Sequence, residues 1–232
     1  MTFKDGDFVK IEYSIWRGSD NKLVITTDKN IAEKNNAYDE NLKYKPHLVV
    51  VGKDNMIKGV VDAIKEMDEG NTKKLEIQPE NAFGDRIQEL VKVLPVSEFR
   101  KRDMDPSPGM QVEIDGGVAT IMSVNSGRVM IDSNHPLAGE RISCEIKIIK
   151  KINTDEEKAK AILEEYNLSY DNVKLNNNII TLSFGDSVKK DGRYFIDKSS
   201  AVDMIIKDLE NVDKVVVEEI YLKTNTNTEE KK

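Results

Sequence analysis

Two alternating segments far apart in the chain constrain the fold more than any other feature. Residues 7–16, DFVKIEYSIW, place apolar side chains at every second position, the period of a half-buried strand. The segment that ends at Ile152 alternates in the same way, through Ile142, Cys144, Ile146 and Ile148. We expect these two strands to pair in one sheet, so the residues between them belong to, or interrupt, a single unit.

The length and charge of the chain set wider limits. The 232 residues are enough for two or three compact units. The formal net charge of -7, from 42 acidic and 35 basic residues, argues against a nucleic-acid partner. There is no apolar run long enough to span a bilayer, and the first ten residues, MTFKDGDFVK, lack the apolar core of a signal peptide. We therefore expect a cytoplasmic protein with no membrane partner.

The first half of the chain predicts further elements around the first strand. LVITT reads as a second strand, and a hydrophilic excursion over 28–46 reads as a surface flap with a short helix near 31–34. Asn55 is a candidate N-cap for the helix MIKGVVDAIKEM, whose apolar residues recur at helical spacing. TKKLEIQP predicts another strand, which Pro79 ends.

Residues 87–132 differ in sequence pattern from the residues on either side, and they predict a small β-rich insert. Two turn signals, Asp115-Gly116-Gly117 and Asn125-Ser126-Gly127, separate three short alternating strands. The interrupted unit is therefore expected to comprise 1–86 and 133–152. The insert region also carries four methionines: Met104, Met110, Met122 and Met130. Packing in a core and forming a flexible partner-binding surface are equally good interpretations of these side chains.

A separate C-terminal unit is predicted over 153–224. Thr154 and Glu157 form a capping box that opens a helix. A hairpin turning at 176–178, a helix from about Ser200 and the strand KVVVEEIYL follow, in the order αββαβ. We interpret this unit as a packing or homodimerisation module, and we expect the polar residues 225–232 to be disordered.

Three separated blocks resemble the FKBP-type peptidyl-prolyl cis-trans isomerases: VGKDNMIKGV, then MDEG, then PENAFG, in the family's order. SGRVMIDSNHPLAG further resembles the SlyD-like branch, in which an insert-in-flap chaperone domain interrupts the FKBP domain. The whole chain resembles the long archaeal members, which have an extra C-terminal domain. The resemblance implies an α+β fold: an antiparallel half-barrel wrapped on one helix, with the inserted β-rich domain and a separate C-terminal α+β domain.

The resemblance also implies a prolyl-binding pocket. The catalytic positions would be Tyr13, Ile57 through its backbone N–H, and Phe83, which stands where the family usually has tyrosine. The substrate-binding positions would be Val24, Ile25, Val49, Met56, Val60 and Cys144. The family pattern has phenylalanine and aspartate where Val24 and Ile25 stand, and aromatic residues where Val49 and Cys144 stand. We therefore expect weak catalysis in an apolar pocket.

No cofactor or metal is expected. His47 and His135 are far apart in the sequence, each near a proline, and His135 is expected to fix the loop that re-enters the interrupted unit. The C-terminal tail lacks the histidine-rich run that gives some SlyD-like proteins nickel affinity. Cys144, the single cysteine, can form no intrachain disulfide, and its apolar strand favours a buried small side chain over a nucleophile.

The expected function is prolyl isomerisation combined with chaperone activity, with unfolded or nascent polypeptides as partners. A non-catalytic holdase with a decayed isomerase site is the main alternative, because the pocket has lost its aspartate. A dimeric scaffold acting through residues 153–232 is a third interpretation.

Overall fold

The computed structural model describes residues 2–114, 116–186 and 192–222. Its strands are β1 Phe8–Arg17, β2 Leu23–Thr26, β3 His47–Val50, β4 Thr72–Ile77, β5 Val91–Pro95, β6 Gln111–Ile114, β7 Gly117–Asn125, β8 Arg128–Asp132, β9 Ile142–Ile152, β10 Asn172–Asn176, β11 Ile179–Phe184 and β12 Lys214–Glu219. Its helices are α1 Lys29–Lys34, α2 Lys58–Lys65, α3 Val96–Arg100, α4 Asp155–Glu165 and α5 Tyr194–Asp208. The predicted α+β class is confirmed.

The first sheet joins the two alternating segments. Its strands follow the order β2-β1-β9-β4, and β3 also pairs with β1. β1 and β9 are antiparallel along their whole lengths, with Tyr13 opposite Ile146 and Ile15 opposite Cys144. The pairing predicted from the alternation is therefore confirmed. Because successive side chains of a strand point to opposite faces, one face of this sheet is apolar along β1 and β9, while the other face carries ion pairs between Glu12 and Lys147 and between Lys74 and Glu145.

Helix α2 covers one face of the first sheet. Val60, Ala63 and Ile64 of the helix are buried against side chains of β1, β3 and β9. At Gly59, an added Cβ would lie only 2.5 Å from a methyl group of Ile77, so glycine permits the close approach of the helix to β4. The predicted N-cap Asn55 is wrong. The N-cap position is Ile57, and no side chain caps the helix.

The insert forms a second sheet of four strands in the order β5-β8-β7-β6, with α3 against it. The sequence predicted three strands, because VKVL ends at a proline and its pairing with distant β8 has no local signal. Asp115, part of a predicted turn, lies outside the described residues. The buried core of this sheet is small: Phe99, Val112, Ala119, Ile121, Val129 and Ile131.

The two chain crossings between the first sheet and the insert are tied together by side chains. The Asn134 amide donates to the carbonyl oxygen of Ile87 at 2.9 Å and accepts from the Ile87 N–H at 2.8 Å. Arg86 forms an ion pair with Asp132 at 2.5 Å. These contacts bridge positions that are more than 40 residues apart and fix the base of the insert.

The remaining residues build a third sheet, β10-β11-β12, with α4 and α5 on it. The predicted N-cap and hairpin are confirmed: the Thr154 hydroxyl caps α4 by accepting from the Glu157 N–H, and positive φ angles at Asn177 and Asn178 make the turn. Helix α5 begins at Tyr194, six residues before the predicted Ser200. Residues 225–232, predicted to be disordered, lie outside the described residues.

The third sheet and its helices share one apolar core with the second face of the first sheet. Phe8, Leu48, Val50 and Ile152 from the first sheet are buried in the same cluster as Ile162, Leu182 and Ile205. Each of these side chains is at most 3% exposed. Among the helices of the described ranges, none has the length and apolar character required to cross a membrane.

Candidate functional site

Seven of the nine predicted pocket residues meet on the α2 face of the first sheet. Val49, Val60 and Cys144 are buried within the apolar cluster. The other four pack against that cluster while remaining partly exposed: Tyr13, Met56, Ile57 and Phe83. Their strands and helix are distant in sequence, so the arrangement is produced by the pairing of β1 with β3 and β9.

Tyr13 lies in the middle of β1. Its backbone N–H donates to the Thr27 hydroxyl at 2.9 Å, which holds the start of the flap against the strand. Burial raises the pKa of the Tyr13 phenol, and the charges of Cys144 and Glu165 raise it further. The phenol therefore remains protonated near neutral pH and can donate a hydrogen bond.

The start of α2 offers a backbone donor. Ile57 has an extended conformation (φ -52°, ψ 129°) immediately before the helix, and its carbonyl accepts from Val60 and Val61. Its N–H donates to no protein group within the described ranges. The first N–H groups of a helix lack partners inside the helix, so this position can donate to a bound carbonyl oxygen.

Phe83 follows a short 3₁₀ turn, Pro79–Asn81, and stacks on His135. The ring centroids are 4.4 Å apart and the planes differ by 3°. His135 Nδ1 accepts from the Leu137 N–H at 3.1 Å, which orients the imidazole and supports the predicted role in fixing the return loop. The stacking itself was not predicted, because 52 residues separate the two rings.

Val24 and Ile25 are not brought into the cluster. They lie on β2, the outermost strand of the sheet, where no further strand covers them. Their exposed fractions are 43% and 46%. The assignment of these two positions to substrate binding remains a prediction.

His47 is a site residue that the sequence analysis did not identify. Its ring meets the Tyr13 ring edge to face, with centroids 5.9 Å apart. Its Nδ1 lies 2.8 Å from a carboxylate oxygen of Glu165, at the end of α4. The partner is 118 residues away, and only the shared core of the first and third sheets brings the two together.

The insert presents a second candidate surface. We define its outer face by four apolar side chains, 40% to 62% exposed, whose neighbours in sequence point into the core. Val93 and Met130 are directly paired across β5 and β8. The other two, on β7, complete the face: Val118 and Met122.

A cleft also opens between α3 and the strands of the insert. Its volume is about 260 Å³. Apolar side chains and three charged residues line it: Leu94, Phe99, Met104, Ile114, Lys92, Glu98 and Arg102. Thus Met104 lines a cleft while Met110, Met122 and Met130 are exposed, so most of the four methionines are available to a partner.

The site is built mainly from apolar side chains. Burial raises the pKa of the Cys144 thiol to about 12, so the thiol is neutral and unsuited to nucleophilic attack. Within the described residues, no group of three or more histidine, cysteine, aspartate or glutamate side chains could hold a metal ion. The arrangement can exclude water from a bound apolar ring. The Tyr13 phenol and the Ile57 backbone N–H can donate hydrogen bonds to carbonyl oxygens beside that ring.

Two family models match the chain. The model described as FKBP-type peptidyl-prolyl cis-trans isomerase matches residues 1–99, and the model described as FKBP26, IF domain, matches residues 92–137.

Curated proteins are also similar to this chain. The short-type peptidyl-prolyl cis-trans isomerase of Methanocaldococcus jannaschii is 32% identical over 145 residues, covering 62% of this chain and 91% of that protein. The probable FKBP-type 16 kDa peptidyl-prolyl cis-trans isomerase of Pseudomonas fluorescens is 31% identical over 122 residues, covering 50% and 80%. The FKBP-type isomerase SlyD of Helicobacter pylori is 26% identical over 114 residues, covering 48% and 62%.

Proposed function

This chain belongs to the family of FKBP-type peptidyl-prolyl cis-trans isomerases, and on that premise we propose that it isomerises X-Pro bonds in captured, unfolded polypeptides. The proposal includes two linked activities. The α2 face of the first sheet acts on the prolyl bond, and the insert holds the polypeptide.

Isomerisation requires no acid, base or metal, because no bond is made or broken. The barrier of about 18–20 kcal/mol arises from the double-bond character of the C–N bond. Water stabilises the planar, polarised amide, so a dry pocket that holds the proline ring favours the twisted state. In the proposed complex the ring packs on the partly exposed Met56 at the surface of the apolar cluster, while Tyr13 and the Ile57 N–H donate to substrate carbonyl oxygens. Phe83 closes one side.

The observation that carries the isomerase proposal is the convergence of Tyr13, Ile57 and Phe83 on one apolar cluster beside an unpaired backbone donor. The exposed, aliphatic Val24 and Ile25 provide no charged or hydrogen-bonding side chain, whereas the family pattern has an aspartate at position 25. We therefore propose that the pocket works slowly on short peptides and depends on capture by the insert.

Capture is proposed to occur on the outer face of the insert. Exposed apolar patches rimmed by polar residues are typical of partner-binding surfaces, and flexible thioethers adapt to varied partners. A client held there has a high local concentration at the pocket, so slow intrinsic catalysis still has an effect. The similarity to SlyD proteins and to the IF-domain model supports this division of labour.

We propose three units on the same reasoning: an isomerase unit over 1–86 and 133–152, an insert-in-flap unit over 87–132, and a C-terminal unit over 153–224. The separate apolar cluster of the insert supports its boundaries, whereas the C-terminal unit shares one cluster with part of the isomerase unit. The assignment to the SlyD-like branch, to the long archaeal type and to the cytoplasm, and homodimerisation through the C-terminal unit, are parts of the same proposal.

The test compares two assays on the purified chain. In the first, the chain should accelerate cis-trans isomerisation of a proline-containing tetrapeptide, and in the second it should suppress aggregation of a denatured protein. A variant with serine at all four outer-face positions should lose about tenfold in apparent affinity for the client, equivalent to roughly 1.4 kcal/mol. Its rate on the tetrapeptide should be unchanged, because the tetrapeptide does not reach the insert.

The holdase alternative predicts a different outcome. If the tetrapeptide rate equals the uncatalysed rate while aggregation is suppressed, the isomerase site is decayed and the chain is a holdase. If the serine variant suppresses aggregation as well as the parent chain does, the outer face is not the capture surface.

A further inference from the structure

The C-terminal unit contacts the isomerase site directly. Helix α4 ends at Glu165, and one carboxylate oxygen of this residue accepts from His47 Nδ1 at 2.8 Å. The other oxygen accepts from the Leu48 N–H at 3.1 Å. One carboxylate therefore holds both the side chain and the backbone of β3, the strand that carries His47 beside Tyr13.

The end of α4 is itself fixed against β3. The Lys45 ammonium donates to the backbone carbonyl of Glu165 at 3.1 Å and to the Asn167 side chain at 3.0 Å. It also donates to the carbonyl of Glu164. A cation at this position satisfies the unpaired carbonyls at the C-terminus of the helix and favours its dipole. The position of Glu165 relative to the pocket is thus set by the interface.

The charge of Glu165 follows from the same contacts. Burial alone would raise the pKa of its carboxyl, but the hydrogen bond and charge of His47, the Leu48 N–H and the charge of Lys45 outweigh burial and lower the pKa. The carboxyl is therefore an ionised acceptor at neutral pH, and Nδ1 of His47 carries the proton it receives. A carboxylate partner of this kind fixes the tautomer and the rotation of an imidazole ring.

We infer that Glu165 is a positioning residue of the isomerase site: it holds the His47 ring as one wall of the prolyl pocket, so the pocket is complete only when the C-terminal unit is docked. The inference rests on the proposed function in one respect, the assignment of Tyr13 to the prolyl pocket. It gives the C-terminal unit a part in the reaction in addition to packing or dimerisation.

The first test measures kcat/KM for a tetrapeptide with three full-length variants. Glu165→Ala frees the His47 ring and should lower kcat/KM about fivefold, equivalent to roughly 1 kcal/mol of transition-state stabilisation. Glu165→Gln keeps an acceptor oxygen and should recover most of the rate. Glu164→Ala is the matched control, because it removes the neighbouring ion pair with Lys10 at the same helix end without touching His47. Its kcat/KM should be unchanged.

A second comparison, made in the His47→Phe variant, separates a positioning role of Glu165 from general destabilisation of the protein. Phenylalanine at position 47 retains a ring beside Tyr13 but offers no N–H to Glu165. In His47→Phe, the additional Glu165→Ala change should lower kcat/KM much less than fivefold, because only the contact with the Leu48 N–H remains to be lost, so the two substitutions are strongly non-additive. An equal fivefold loss in both backgrounds would overturn the inference.

A readout independent of activity distinguishes this inference from the proposed function. The ring signals of Tyr13 in an NMR spectrum, assigned with Tyr13→Phe, report on the neighbouring imidazole. They should shift in Glu165→Ala and not in Glu164→Ala. If the parent chain has no isomerase activity yet this shift occurs, the proposed catalysis fails and the positioning role stands. If the Tyr13 signals and kcat/KM are the same in Glu165→Ala and the parent chain, the inference is wrong.

Discussion

The isomerase cluster and the outer face of the insert use the same kinds of side chain in opposite ways. Around α2, residues such as Val9, Ile11 and Ile64 are fully buried. On the insert, Val118 and Met122 stand in solvent with 62% and 45% of their surface exposed. The first set stabilises the fold by leaving water, whereas the second set leaves its apolar surface in solvent, where we propose that it binds a partner.

The difference has a structural cause. The first sheet has α2 on one face, and the C-terminal unit covers the apolar end of its other face at Phe8, Leu48, Val50 and Ile152. Among the described residues of the insert, the short helix α3 is the one helix that packs on its sheet. A sheet with a single cover leaves alternate apolar side chains exposed, and the insert combines a small core with a surface suited to binding.

The largest expected effect concerns the reactivity of thiols in the two regions. Cys144 is 1% exposed with a pKa of about 12 instead of 9.0, so its thiolate fraction at pH 8 should be about a thousandfold below that of an ordinary thiol. In Met122→Cys, the new thiol on the outer face should be alkylated at an ordinary rate. Mass spectrometry after brief alkylation should find one modification, at position 122, and two in denaturant.

The same pKa predicts a loss of stability at high pH. Above the ordinary thiol pKa of 9.0, Cys144 ionises in the unfolded chain but keeps its proton in the folded chain. The unfolded state then binds fewer protons, so the free energy of unfolding falls as the pH rises from about 9.

In the alkylation experiment, modification of Cys144 in the native parent chain at pH 8 would show that the isomerase cluster opens to water.

The second prediction compares two truncations. Ile64→Ala removes a fully buried side chain beside the pocket and should lower the free energy of unfolding by about 2–5 kcal/mol. Met122→Ala, on the outer face, should change the free energy of unfolding by no more than about 0.5 kcal/mol, because this side chain lies outside the buried core. Urea unfolding, followed by circular dichroism, measures both. Similar losses in the two variants would mean that the outer face is part of the folded core.

Local patterns in the sequence were sufficient to predict several features of the structure. Alternation predicted the pairing of β1 with β9, and the Thr154 capping box predicted the start of α4. The positions of Tyr13 and Phe83 in the pocket followed from a family resemblance, and both side chains pack on the predicted cluster. Such features depend on residues close in sequence or on motifs already familiar from relatives.

Apart from two local errors, at the N-cap of α2 and the start of α5, the unpredicted features depend on contacts between distant residues. The ring of His135 on Phe83 and the carboxylate of Glu165 on His47 join elements whose local sequences carry no sign of each other. The insert's fourth strand, β5, is identified only by its partner β8. Patterns of period two or 3.6 report whether one side of an element is apolar, but they do not say which other element covers it.

The smallest expected effect tests how the two regions are joined. Asn134 bonds both backbone groups of Ile87 at the base of the insert, so Asn134→Ala should loosen the orientation of the outer face relative to the pocket. Because a tethered client reaches the pocket only within a limited range of orientations, proline-limited refolding of a protein substrate should slow about threefold. The tetrapeptide rate should be unaffected, and Ser133→Ala, next in the chain, should alter neither. A matching loss on the tetrapeptide would mean that Asn134 supports the pocket itself, and unchanged refolding would mean that the insert delivers its client without a fixed orientation.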